Sequence, residues 1–410
     1  MIFTLIKNEI IKILSRGKTW VVFVMFIALI GLLSYGLNRE ANYMKKIDSP
    51  KQMVKNSESQ IDYYKDQIKS MEDSLKTKDD PELKIKKESM ERNKEDMENS
   101  TKEAKKLIAE GKGDEPFPLD LDKEIKDIES RLKNADIPDE HKVRDENQLK
   151  LYKYLKENGI TPEKPYVLNG YNHIMTVISI LGLIFLTIGL SIFGSDMVSG
   201  ECTPPTLKFL LVQPISRGKV LFSKFISLVI VCIAMILSVE VLSFIVMGVI
   251  KGFGNSNYPV IYGTQYAFDL TRVVDGSHPI NMVKGSGEII TIAAFLLKAL
   301  AYQTLFIVTV CSVVFLMSTI FKSSMISMAV STSFFIIYSV LVNAISSLKK
   351  ISHFIFITYG QAPSVLSGDL AMMYKNPSIT IRNGIIVMVI TILVSYTIAH
   401  INFKRKDILI

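Results

Sequence analysis

The residue types that do chemistry are sparse in this chain and spaced for none of the familiar reactions. His141, His173, His278, His353 and His400 fall in neither an HExxH pattern nor a Cys/His ligand spacing, so no zinc site is legible. There is no GxSxG nucleophile elbow and no GxxxxGK[ST] phosphate loop, so the sequence offers neither a hydrolase serine nor an ATPase site of its own. Gly252-Phe253-Gly254 is a loop signal, and Asn99-Ser100-Thr101 is a formal glycosylation sequon inside a charged helical stretch. The cysteines are Cys202, Cys232 and Cys311, too far apart for a redox or metal motif. What remains is one acid and one base deep within apolar runs. Glu240 and Lys298 each stand about ten residues inside an apolar run, roughly 15 Å along a helix. Charges at such depth usually find partners, so the two are expected to form an ion pair clamping neighbouring helices.

The elements that must hold such a pair are membrane spans. The chain has 410 residues, is 48% hydrophobic, and gathers that apolarity into blocks of about twenty, the length that crosses a hydrocarbon core. Six blocks are read: Thr19–Leu37, Tyr171–Gly194, Val220–Ile250, Ile289–Ser318, Met325–Leu348 and Asn383–Asn402. The first is too long for a signal-peptide core and lacks a small-residue cleavage site, so it stays as a span. Six spans put both termini on one side. The short segments 1–18, 195–224, 319–323 and 403–410 hold twelve Lys and Arg, against seven in the opposite loops 251–288 and 349–382, which are longer in total. The positive-inside rule makes the first set, with both termini, cytoplasmic in a multi-pass cell-membrane protein. Within residues 1–18, Phe3, Ile6, Ile10, Ile13 and Leu14 recur at helical spacing against Lys7, Asn8, Lys12 and Arg16, the pattern of an interfacial helix.

Residues 38–170 differ in kind. They carry 28 Lys plus Arg and 31 Asp plus Glu, a net −3, so the chain's +8 belongs to the membrane part, where topology explains it. Nucleic acid is therefore no expected partner. Ile61, Tyr64, Ile68, Met71 and Leu75 alternate spacings of three and four, and Leu83, Met90, Met97 and Ala104 recur every seven. This predicts an extracellular helical domain built on an antiparallel coiled-coil hairpin with its tip at Asp79–Pro81. Leu121, Ile125, Ile128 and Leu132 form a further stripe. With no cysteine, the domain forms no disulfide. The fold class is an all-α polytopic membrane protein with six spans, an N-terminal interfacial helix and this outer domain.

Between the second and third spans lies SGECTPPTLKFLLVQPISRGK, Ser199 to Lys219. Thr203-Pro204-Pro205 reads as a helix start, TLKFLLVQ supplies about two turns, and Pro214 ends them, after which Ser216 is placed to cap the next span. A short crosswise helix results, with Leu207, Leu210 and Leu211 on one side and Glu201 and Lys208 available to a partner. The order of Glu201, Thr206-Leu207-Lys208, Leu210-Leu211, Pro214, Ser216-Arg217 and Lys224 resembles the corresponding connection of ABC-2 type permeases. The span count, the amphipathic N-terminus and the half-apolar ISHFIFITYGQAPSVLSGDL before the last span are similar to that family's layout. Pro205 stands where the family commonly has glycine.

The resemblance implies an exporter subunit with a division of labour. A separate cytoplasmic ATPase would bind ATP and Mg, leaving no cofactor in this chain, and the short helix would be the coupling helix docked on it. Two copies, or two related permeases, would line a path for a peptide, lipid, drug or sodium. A receptor with a helical ectodomain is the alternative and predicts signalling without flux. A secondary transporter predicts inverted repeats, and none is seen.

Overall fold

The computed structural model describes residues 2–77, 80–133, 139–201, 215–273 and 278–405. Helices α1 (Ile2–Leu14) and α2 (Gly17–Ile47) are followed by α3 (Pro50–Thr77), α4 (Pro81–Ala109), α5 (Leu121–Leu132) and α6 (Asp139–Glu157). The second span is α7 (Gly170–Ile180), a π-helical turn at Leu181–Phe185 and α8 (Leu186–Gly194). The third, fourth and fifth are α9 (Arg217–Lys251), α10 (Ile292–Ile320) and α11 (Ser324–Ala344). After the short α12 (Ser346–Ile351), α13 (Ala362–Ser367) and α14 (Asp369–Tyr374), α15 (Ile381–Arg405) is the last span. Among the described residues, six helices are long and apolar enough to cross a membrane, at the places the hydropathy blocks predict.

Contacts divide the chain into two compact units, one of Met1–Ser34, Ile125–Thr161 and Asn169–Ile410, the other of Tyr35–Glu124 and Pro162–Leu168. In the first unit burial ranks the spans. The apolar window of α10 is 61% buried and that of the second span 56%, against 17% for α2 and 22% for both α11 and α15. The second and fourth spans are thus the centre, and α2, α11 and α15 present apolar side chains outward, as a lipid-facing rim does. The short helices before α15 pack inward. Gly360 meets Gly182 backbone to backbone at the π turn. The Phe356 ring sits 6.4 Å from Phe306 and 6.1 Å from Phe335. At six residues each, α13 and α14 reach only about 9 Å and cannot cross.

Between α9 and α10 the chain forms nested antiparallel pairs rather than a plain loop. β1 (Pro259–Tyr262) pairs β4 (Glu288–Thr291) and β2 (Tyr266–Phe268) pairs β3 (Ile280–Met282). α6 packs on β1 and β3, and Lys150 Nζ donates to the Gly287 carbonyl. That contact explains why residues 125–161 join the unit of the spans instead of the hairpin, dividing a segment that reads in sequence as one outer domain.

The second unit is the hairpin. Glu72 pairs with Lys87 at 2.8 Å and Glu58 with Lys105 at 3.0 Å, so α3 and α4 run antiparallel. Ile61, Ile68 and Met71 are buried along one arm and Thr101 and Ala104 along the other. Asp80 caps α4, its side chain accepting from the amides of Glu82 and Leu83. Of the expected tip at Asp79–Pro81, Asp79 lies outside the described residues. The base is tied by backbone bonds from Phe117 N to Asp48 O, 2.9 Å, and from Lys51 N to Gly113 O, 3.2 Å. The Asp48 carboxylate also takes Lys164 at 2.9 Å and the Tyr166 hydroxyl. Burial, then that bond and the carboxylate's charge, push the Tyr166 phenol above its ordinary range. The closed base and the buried positions along both arms hold the two helices against each other. A fragment of residues 48–118 should give a helical circular dichroism spectrum with a cooperative melt; a coil or strand spectrum would contradict the packing.

Candidate functional site

Among the described residues, the densest group of buried charge lies where α1 packs against the start of α9. Its members come from three elements. α1 supplies Glu9 and Lys12, a 3₁₀ turn at Ser199–Glu201 supplies Glu201, and the second turn of α9 supplies Lys224. Lys224 is fully buried and Glu9 and Glu201 are nearly so, at 0%, 6% and 2% exposure. Lys224 Nζ donates to both Glu9 oxygens, at 2.9 and 3.0 Å, and to Glu201 Oε1 at 2.7 Å. Lys12 Nζ completes the set on Glu201 Oε1. Two carboxylates and two ammonium groups balance, which is what lets Glu9, Glu201 and Lys224 stay buried.

The sequence around each member explains its position. Ile6, Glu9 and Ile13 share one face of α1, and that face packs on α9. Ile13 is 2% exposed while Phe3, Ile11 and Leu14 point away. Ser227 Oγ donates to the Ile6 carbonyl at 3.0 Å, a second tie between the helices. The α1–α2 corner is closed by Thr19 Oγ1 to Ile13 O, 2.5 Å, and Trp20 Nε1 to Leu14 O, 2.9 Å. Asp196, after α8, accepts Lys18 at 3.2 Å and Arg16 at 3.7 Å. Ser318 Oγ accepts the amides of Val198 and Ser199 at 2.9 and 3.1 Å, fixing the turn to the end of α10. The turn carrying Glu201 is therefore held from α1, α9 and α10 at once.

The residues singled out for coupling fare differently. Glu201 is not available to a partner as the sequence suggests. It is turned inward, where Lys12 and Lys224 neutralise its charge. Thr206, Leu207, Lys208, Leu210, Leu211 and Pro214 lie outside the described residues, as does Cys202. Ser216 occupies the cap position of α9, but its hydroxyl makes no cap bond. Arg217 reaches the Lys404 carbonyl of α15 at 3.5 Å. Glu9, Lys12 and Lys224 were legible only in part, and the signal for Glu9 is its place between Ile6 and Ile13 on a face that is otherwise apolar.

The expected pair of Glu240 with Lys298 does not form. Glu240 Oε1 accepts from Gln303 Nε2 at 2.6 Å, while Lys298 Nζ lies 4.9 Å from the centre of the Tyr262 ring. Two features of α10 cause this. Residues 288–291 are strand, so the helix starts at Ile292, capped by Thr291. Lys298 then sits only about 9 Å into its helix, against about 16 Å for Glu240 in α9. Lys298 also lies about 140° around the axis from Gln303, the side chain that does face Glu240.

The family model described as ABC-2 family transporter protein matches residues 3–408, spanning both units and all six spans. Comparison with curated proteins gives no match.

Proposed function

Because this chain belongs to the ABC-2 transporter family and is thus a permease subunit of an ABC transporter, we propose that it serves an ATP-driven exporter in which segment 202–214 docks a separate ATPase. ATP and Mg are bound by that partner. Both termini and the docking segment are cytoplasmic, following the excess of Lys and Arg on that side. A second permease, identical or related, completes the path, and residues 38–170, extracellular by the same charge rule, suit a large substrate met at the cell surface.

The observation that carries this reading is the anchoring of the segment's flanks. Glu201 directly precedes it and Lys224 follows it by less than three turns of α9, and the two are bonded to each other and to α1. A docking piece transmits a push only if its ends do not give. Here each end is tied into a spanning helix by buried charge, so displacement of the segment moves α8 and α9 instead of being absorbed by loop bending.

Purification of the native complex identifies the ATPase. In that complex, replacing Leu210 and Leu211 together by Glu should lower ATPase recovery at least about tenfold, the effect of losing about 1.4 kcal/mol of contact. Insertion of the spans should be unchanged. Equal recovery with the double variant would show that the segment is not the docking piece.

A further inference from the structure

Glu240 is the sole acidic residue in the six apolar stretches, and it is completely buried. Its contact with Gln303 is half made. Gln303 Nε2 donates to Glu240 Oε1, but Glu240 Oε2 and Gln303 Oε1 are both buried without a partner. If Glu240 is a carboxylate, both orphans are acceptors and neither can serve the other. Among the described residues a carboxylate there also lacks a cation. The two lysines in the apolar stretches are engaged elsewhere, Lys298 over Tyr262 and Lys224 between Glu9 and Glu201. The other buried titratable side chains on helices packed against α9 are likewise turned to other groups. His173 Nε2 lies 3.3 Å from Ser34 Oγ, the Tyr302 hydroxyl abuts Gly384, and Cys311 lies against Cys232.

One proton resolves both orphans. Placed on Glu240 Oε2, it turns an acceptor into a donor for Gln303 Oε1, closes a two-bond acid–amide ring, and removes a charge that would otherwise be stranded in the membrane interior. We propose that Glu240 is a proton-binding site, carried as a carboxylic acid whose ring with Gln303 clamps the third and fourth spans. The clamp is uncharged, so it holds the helices together without the solvation cost of an ion pair. It is also conditional. Water admitted between α9 and α10 would compete for both hydrogen bonds and favour release of the proton, so the site reads the opening of the bundle at its centre.

Infrared difference spectroscopy of the full chain in lipid nanodiscs tests this directly. Wild type minus Glu240→Gln, at neutral pH in D₂O, should show loss of one carboxylic-acid C=O band with no change among the carboxylate bands. Gln303→Leu should shift that band to higher frequency, as expected when its hydrogen bonds are lost. Loss of a carboxylate band instead, with the acid region unchanged, would overturn the proposal and point to an ionised Glu240 holding a cation. If Glu240→Gln does not fold, wild-type protein labelled with ¹³C-carboxyl glutamate decides alone. At neutral pH the exposed glutamates are already ionised, so a single isotope-shifted acid band is expected, and its absence overturns the assignment.

Discussion

Lys224→Met should destabilise the membrane unit by about 3–5 kcal/mol, the usual cost of removing one partner from a buried ion pair. The lysine is the only group that touches both carboxylates of the cluster, three bonds from one ammonium with no exposure to water. Without it Glu9 keeps no cation in the cluster, and Glu201 keeps Lys12 alone. Methionine fills the volume, so the loss is electrostatic and not a cavity. The measurements are a thermal melt of the purified protein and limited proteolysis of α1, which should become accessible as its tie to α9 is lost. Lys12→Met is the contrast. Its side chain is 40% exposed, water can replace it, and its loss should cost less than about 1 kcal/mol. Adding Glu9→Gln to Lys224→Met should recover part of the deficit, because one stranded charge is removed, and the recovery measures the coupling. In the complex, Lys224→Met should depress transport more than ATP hydrolysis, since the flank of the docking segment has lost its anchor. Equal melts for the two lysine variants would remove the cluster from its role.

How far the sequence discloses this arrangement depends on the range of the interaction. The six spans are written in local hydropathy and are found where it places them, and helices α3 and α4 occupy the stretches whose periodicity is helical. The start of α10 is not so placed, because Ile289-Ile290-Thr291 is an apolar, β-branched run that reads equally well as the first turn of a helix or as a strand. Only its pairing with Pro259–Ile261, some thirty residues back, decides it. The displaced start is what misplaces Lys298. The cluster fails for a similar reason at longer range. A charged residue beside a polar loop is ordinarily solvated, and nothing near Glu201 says otherwise. The groups that bury it include Lys12, 189 residues away, and Lys224 in turn holds Glu9 across 215 residues. No pattern within one element encodes such a meeting. The partial hint is a carboxylate on the apolar face of an amphipathic helix, which costs too much unless a cation awaits it.

Gly360→Ala is expected to be the most disruptive of the small substitutions in the central part of the bundle, for a reason equally invisible to hydropathy. A Cβ on Gly360 would overlap the Gly182 carbonyl oxygen, approach its carbonyl carbon to 3.1 Å and meet Phe306 at 2.9 Å. The reciprocal change, Gly182→Ala, would drive a methyl into the Gly360 carbonyl and bring it to 3.0 Å from the Gln361 amide nitrogen. Most of the atoms in the way are backbone, so no rotamer change relieves them, and the two chain segments must part. Overpacking of this kind costs about 1–3 kcal/mol, sometimes more. The upper end applies here because Gly182 lies in the π-helical turn, where the second span widens, and parting the segments would also disturb the rings of Phe306, Phe335 and Phe356. Gly31→Ala and Gly36→Ala are the matched controls, since an added Cβ at either position meets nothing within 4 Å. They should melt as wild type or slightly higher, alanine being the better helix former. Thermal stability in detergent and the yield of monodisperse protein are the readouts. The double variant Gly182→Ala/Gly360→Ala should be no better than either single change, because two methyls compete for a gap that admits neither. A Gly360→Ala protein that melts with the controls would mean that the short helices before α15 are not seated against the second span, and the central position assigned to that span would fall with them.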